Sequence, residues 1–195
     1  MKRLIRKAND NLDEMIKIID DIAAWCQYDM GALDVEKAIS LNPDCMTTAK
    51  VYRAMGMENE WFMEDILEVS EFPITIGELC NQIKEKGIFY DDKYSSFTTD
   101  LSFAEEWNSL NNFQQTCVEY VLVADKTGLD IEKVYNKWKD QIDTPSMQVI
   151  NECLVAKEII CKFDKEFDFY SLQEITNMGQ QIESIEEAIK IFELD

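Results

Sequence analysis

Histidine is missing altogether from the 195 residues. That absence removes Cys/His zinc sites, Ser-His-Asp triads and Cys-His nucleophiles. The first candidates for a general base or charge stabiliser are then Asp, Glu, Lys and Tyr. Glycine and proline are scarce, at six and three, which argues against a collagen-like, linker-rich or low-complexity chain. There is no glycine-rich phosphate loop, and no apolar run is long enough to span a bilayer. No C-x-x-C pair occurs among Cys26, Cys45, Cys80, Cys117, Cys153 and Cys161. Most sit among apolar neighbours, the pattern of buried free thiols in a reducing cytoplasm. Positive charge is also short, with 19 bases against 39 acids and a net charge of −20. The acids are spread along the chain, so they mark a solvated surface and not an acidic tail. Such a surface repels phosphates, which disfavours nucleic-acid backbone and anionic membrane as partners. Lys2, Arg3, Arg6 and Lys7 run against this trend. An amphipathic helix follows them, without an apolar run or cleavage site, so no signal peptide is read.

What is present suffices for a core: 46% hydrophobic and 11% aromatic residues. Leu12, Met15, Ile16, Ile19, Ile22 and Ala23 recur at helical spacing and predict a helix from Asn9 to Trp25. A short helix from Asp34 to Ser40 is expected to end at Asn42-Pro43-Asp44. Lys50 to Met55 reads as a strand ended by Gly56. Glu58 to Val69 reads as helical or irregular. Thr75 is placed to cap a helix from Ile76 to Lys86, with Gly87 after it. Tyr94-Ser95-Ser96-Phe97-Thr98-Thr99-Asp100 reads as a hydroxyl-rich strand that turns at Asp100 into a helix through Trp107. Ser96, Thr98 and Asp100 share one face of that strand. Cys117 to Ala124 is the clearest strand, and Leu129-Asp130-Ile131 leads into a helix through Trp138. Glu152 to Val155 and Ile159 to Phe163 read as two short strands across a turn at Ala156-Lys157-Glu158. Phe167 to Tyr170 reads as another strand, and Glu183 to Phe192 as a closing helix. The class is α+β. A boundary near residue 45 divides an N-terminal helical extension, 1–45, from a mixed domain, 46–195.

Three strand-borne features follow in order: Tyr52-Arg53-Ala54, then Ser96-Phe97-Thr98-Thr99-Asp100, then Asn151-Glu152-Cys153-Leu154-Val155. Singly, each suits an ordinary solvent-facing strand. Together they resemble the mono-ADP-ribosyltransferase superfamily, in particular its arginine–serine/threonine–glutamate branch, over residues 50 to 163. The resemblance implies a split β-sheet core, NAD as co-substrate and a macromolecular acceptor, a target protein. Breaking the bond between nicotinamide and ribose places positive charge on the ribose. The resemblance implies Glu152 as the catalytic carboxylate that meets this charge. It implies Arg53 as the planar donor set for the NAD pyrophosphate or ribose. Thr98 and Thr99 would orient the glutamate and ribose, and Tyr52 or Phe97 would wall the nicotinamide ring. Glu158 is a rival to Glu152. Missing histidine suits this branch and argues against the poly-ADP-ribose-polymerase-like one.

The pattern also departs from the family. Arg53-Ala54 replaces the frequent Arg-Gly, and Thr98-Thr99-Asp100 the common Ser-Thr-Ser. Ile150 stands where arginine-modifying members carry glutamate. Met147 and Gln148 lie in the loop expected to meet the acceptor. Small size and acidic balance suit a cytoplasmic effector, of anti-defence type, from a phage or mobile element. Two other functions fit the same residues. One is an acidic non-enzymatic inhibitor that mimics nucleic acid on a basic partner. The other is an inactive relative that keeps the fold as a scaffold.

Overall fold

A computed structural model of the chain describes residues 2–28, 33–87, 93–110, 117–164, 166–172 and 177–192. In chain order the elements are α1 (Lys2–Tyr28), α2 (Val35–Leu41), β1 (Met46–Glu58), α3 (Asn59–Trp61), β2 (Ile74–Thr75), α4 (Ile76–Gln82), β3 (Tyr94–Thr98), α5 (Leu101–Leu110), β4 (Cys117–Asp130), α6 (Ile131–Trp138), α7 (Pro145–Cys153), β5 (Glu158–Lys162), β6 (Asp168–Leu172), β7 (Gln181–Ile182) and α8 (Ile185–Ile191). Wider π-type turns carry α3 on through Leu67 and α4 on through Gly87. Helices and strands are interspersed, so the α+β class expected from the pattern is the one observed.

Four helix starts follow from local chemistry. Asp34, Thr75, Asp130 and Ser184 each accept a backbone N–H from the first turn of α2, α4, α6 and α8. At α4 the bonding is reciprocal. Thr75 Oγ1 accepts from the Glu78 amide at 3.2 Å, and Glu78 Oε2 accepts from the Thr75 amide at 2.9 Å.

The chain folds into two compact units that do not follow chain order. The first comprises residues 1–49, 94–99 and 125–162. Its core joins Met15, Ile19 and Ile22 of α1 to Ala38 of α2, Leu129 of β4, Val134 of α6, Ile150 of α7 and Ile160 of β5. The N-terminal helices are therefore part of a shared core rather than an extension beside one. The reason is the apolar stripe of α1, which faces the buried side of α7. Within this unit β5 lies between β3 and the end of β4, antiparallel to both. Asn42 is completely buried and fully engaged. Its Nδ2 donates to the Ala38 carbonyl at 2.9 Å, and its Oδ1 accepts from Trp138 Nε1 at 2.7 Å. Gly128 sits where a Cβ would come within 2.5 Å of the Ile160 carbonyl oxygen, a close approach that only glycine allows.

The second unit comprises residues 50–93, 100–124 and 163–195. The first half of β4 pairs antiparallel with β6, and β2 with β7. Buried Phe62 meets Phe192 edge-on at 4.9 Å.

The structure differs from the sequence pattern in several places: the strand expected over Cys117 to Ala124 runs on through Gly128 to Asp130, and Met147 and Gln148, expected in a loop, are helical on α7. The strand expected over 50–55 runs from Met46 to Glu58, straight through Gly56. The helix expected from Asn9 starts at Lys2; the side chains of Asn9 and Asp10 lie outside the described residues. Glu152 to Val155 is helical and not a strand.

Candidate functional site

Tyr52 and Arg53 lie half-buried on β1, in the second unit. The Arg53 guanidinium stands 5.6 Å over the Phe163 ring, a cation–π arrangement. Phe97, Thr98, Thr99 and Glu152 belong to the first unit. Phe97 and Thr98 on β3 are 2% and 6% exposed. The Phe97 ring therefore faces protein.

Glu152 is exposed on the last turn of α7, where its Oε1 accepts from Gln148 Nε2 at 3.2 Å. The expected strand fails because the run Cys153-Leu154-Val155 is short, and short apolar runs suit either structure. Helical spacing decides it. Pro145 occupies the first turn, and Met147 and Ile150 are buried three residues apart against the core shared with α1. This phase turns Glu152 to solvent.

The carboxylate that the hydroxyl strand reaches is Glu158. Lys157 precedes it in the left-handed region, at φ 47° and ψ 49°. There its amide donates to the Leu154 carbonyl at 3.0 Å, and its carbonyl accepts from the Thr99 amide at 3.3 Å. The tight turn starts β5 at Glu158, directly opposite Thr98 in the antiparallel register. Glu158 is 9% exposed. Its Oε1 accepts from Ser96 Oγ at 2.5 Å, and Ser96 Oγ in turn accepts from Trp25 Nε1 of α1 at 2.6 Å. Thr98 Oγ1 donates to the Ala156 carbonyl at 2.7 Å and so ties β3 to the same turn.

Two thiols complete the surroundings. Burial raises the Cys26 pKa far above the ordinary thiol value, and the negative charge of Glu158 raises it further. Cys153 is raised by burial and then by Glu158. Both are free, and Cys153 Sγ lies 3.9 Å from the Cys26 carbonyl oxygen. Thiols held neutral beside a carboxylate leave the negative charge on the carboxylate alone. This arrangement suits a group that must face developing positive charge.

Serine at position 96 was legible as a member of the Thr98 face, because alternate strand residues point the same way. Trp25 carried no such signal. It lies 71 positions from Ser96, and only the packing of α1 brings them together.

In the same unit an open groove of about 500 Å³ is lined by Tyr135, Lys139, Thr144, Met147, Gln148 and Asn151, among others. Among the described residues no group of His, Cys, Asp and Glu could hold a metal ion, and no helix is long and apolar enough to cross a membrane.

No family model, curated protein or solved structure matches the chain.

Proposed function

We propose that the chain is an NAD-dependent mono-ADP-ribosyltransferase with an ADP-ribosyltransferase-like core, and that its ribose-facing carboxylate is Glu158. The observation that carries this reading is the Ser96–Glu158 hydrogen bond, which joins the hydroxyl strand to a carboxylate. In the resemblance drawn from sequence, hydroxyls of the middle strand orient the glutamate. Glu158 occupies that relation and Glu152 does not.

The chemistry follows from the surroundings. Loss of nicotinamide leaves positive charge on the ribose. An ionised carboxylate, already oriented and largely withdrawn from water, stabilises that charge without reorganising. Arg53 and Tyr52, the NAD-binding residues that the resemblance implies, are neighbours on β1. Ala156 stands two positions before Glu158, where arginine-modifying relatives of this superfamily carry a carboxylate. An acceptor other than arginine, on a target protein, is therefore favoured. Met147 and Gln148, expected in a loop that meets the acceptor, lie on α7; Met147 is buried in the core, and Gln148 is the exposed residue of the pair at the open groove.

The test is transfer of label from adenylate-labelled NAD to proteins of a cell lysate. Glu158→Gln should lower labelling on the order of 100-fold or more. Glu152→Gln should stay within about twofold, since that side chain is at the surface. Equal labelling by wild type and Glu158→Gln would sink the assignment. Neither labelling nor nicotinamide release by wild type would sink the reaction itself.

The net charge of −20 favours one other reading, an acidic inhibitor seated on a basic partner. That reading requires partner binding that collapses with salt and ignores Glu158→Gln.

A further inference from the structure

We propose that Trp25, on the N-terminal helix, is a positioning residue for the carboxylate: acting through Ser96, it sets the direction of the hydrogen bonds that hold Glu158. The inference rests on the transferase reading and adds to it a residue that no strand motif supplies.

The direction follows from counting protons. An indole N–H is a donor only. At 2.6 Å from Ser96 Oγ it can only give its proton to that oxygen. A serine hydroxyl has one proton of its own. Ser96 Oγ accepts from Trp25 and gives that proton to Glu158 Oε1, 2.5 Å away. The chain then runs one way, from Trp25 to Ser96 to Glu158, and it ends on an oxygen that must accept. A hydrogen bond donated to that oxygen is stronger when the carboxyl is ionised, so the relay favours the charged form.

Several groups bear on Glu158 from the neighbouring elements. Cys26 faces it from α1, its thiol hydrogen-bonded to the Glu158 side chain, and Cys153 faces it from α7; both thiols are neutral. Thr98 lies opposite on β3 with its proton given to Ala156. Lys157 precedes it in the chain. On β4, Asp130 pairs with the adjacent Ile159, but its carboxylate is taken up by Thr47 Oγ1 at 2.8 Å and the Lys133 amide at 3.1 Å. Burial at 9% exposure opposes ionisation. The Trp25–Ser96 relay opposes that effect, so cutting it should let Glu158 hold its proton to higher pH.

Trp25→Phe keeps an aromatic ring and removes the N–H. Ser96→Ala removes the middle of the relay and leaves the indole in place. In protein labelled with 13C at glutamate carboxyls, the Glu158 signal is identified by its loss in Glu158→Gln. Its titration midpoint should rise by about one pH unit in Trp25→Phe and in Ser96→Ala, with no further rise in the double variant. The acid limb of kcat/KM should move up by the same amount, with KM for NAD unchanged. Cooperative thermal unfolding of each variant shows that the fold is kept. An unmoved midpoint in folded Trp25→Phe would overturn the inference and reduce Trp25 to packing. A moved midpoint in a chain without NAD turnover would instead overturn the transferase reading, and with it the part of Trp25 in positioning a catalytic carboxylate.

Discussion

Cys26 and Cys153 gauge the charge on Glu158 without any substrate. Both thiols are raised above the ordinary value, first by burial and then by the Glu158 carboxylate. Thiolate is the reactive form, so both should alkylate slowly in the native state at pH 8, by more than about tenfold relative to the unfolded chain. Glu158→Gln removes the negative neighbour, lowers both pKa values and increases the thiolate fraction. Alkylation of both should therefore quicken while staying slow overall, because burial is the larger cause. Residue-resolved mass spectrometry of iodoacetamide labelling measures this. Unchanged rates at both sites would show that Glu158 carries no charge there. Glu152 and Glu158 illustrate what a sequence leaves open at this scale. Both are glutamates beside a short apolar run. Side-chain identity does not say which one a strand two segments away will face.

At the scale of elements, the helix starts were the most legible part of the chain. A cap is a contact between residues two or three apart, so it is written locally. Thr75 and Glu78 are the clearest case, with both bonds of a capping box present. Thr75→Ala should cost about 1 kcal/mol in urea unfolding. Bonds from the Thr75 amide and hydroxyl hold the Glu78 carboxyl below the usual glutamate range. A depressed folded pKa stabilises above the unfolded value and ceases to do so as pH falls through the folded one. The difference between wild type and Thr75→Ala should therefore be full at neutral pH and shrink on acidification below the ordinary glutamate pKa. The α7 segment shows the opposite case. Its end reads as a strand by composition, and its phase against α1 makes it a helix. The spacing of Met147 and Ile150 is written in the sequence, but that this face meets α1 is not.

For the whole molecule, the role of the N-terminus is the main change. Residues 1–45 read as an extension because they are helical where the next segment is mixed. In the structure α1 supplies Met15, Ile18, Ile19, Ile22 and Ala23 to the core of the first unit, all at 6% exposure or less. Each larger side chain among them is worth about 1.5–3 kcal/mol when fully buried. Set against a total stability of about 5–15 kcal/mol, their loss is not survivable. Deleting residues 1–28 should abolish cooperative thermal unfolding by circular dichroism and expose dye-binding apolar surface. A truncated chain that melts cooperatively near the wild-type temperature would restore the view of α1 as an appendage.

By itself, the sequence determined the α+β class, the missing histidine chemistry, the acidic surface and most helix starts. Composition sets the first three, and contacts between near neighbours set the last. Tertiary structure alone decided that Glu158 is the carboxylate met by the hydroxyl strand. It also decided that Trp25 reaches Ser96, and that α1 belongs to a core. Each of these depends on strand register or helix phase between distant segments, and those are fixed by packing rather than by any stretch of residues.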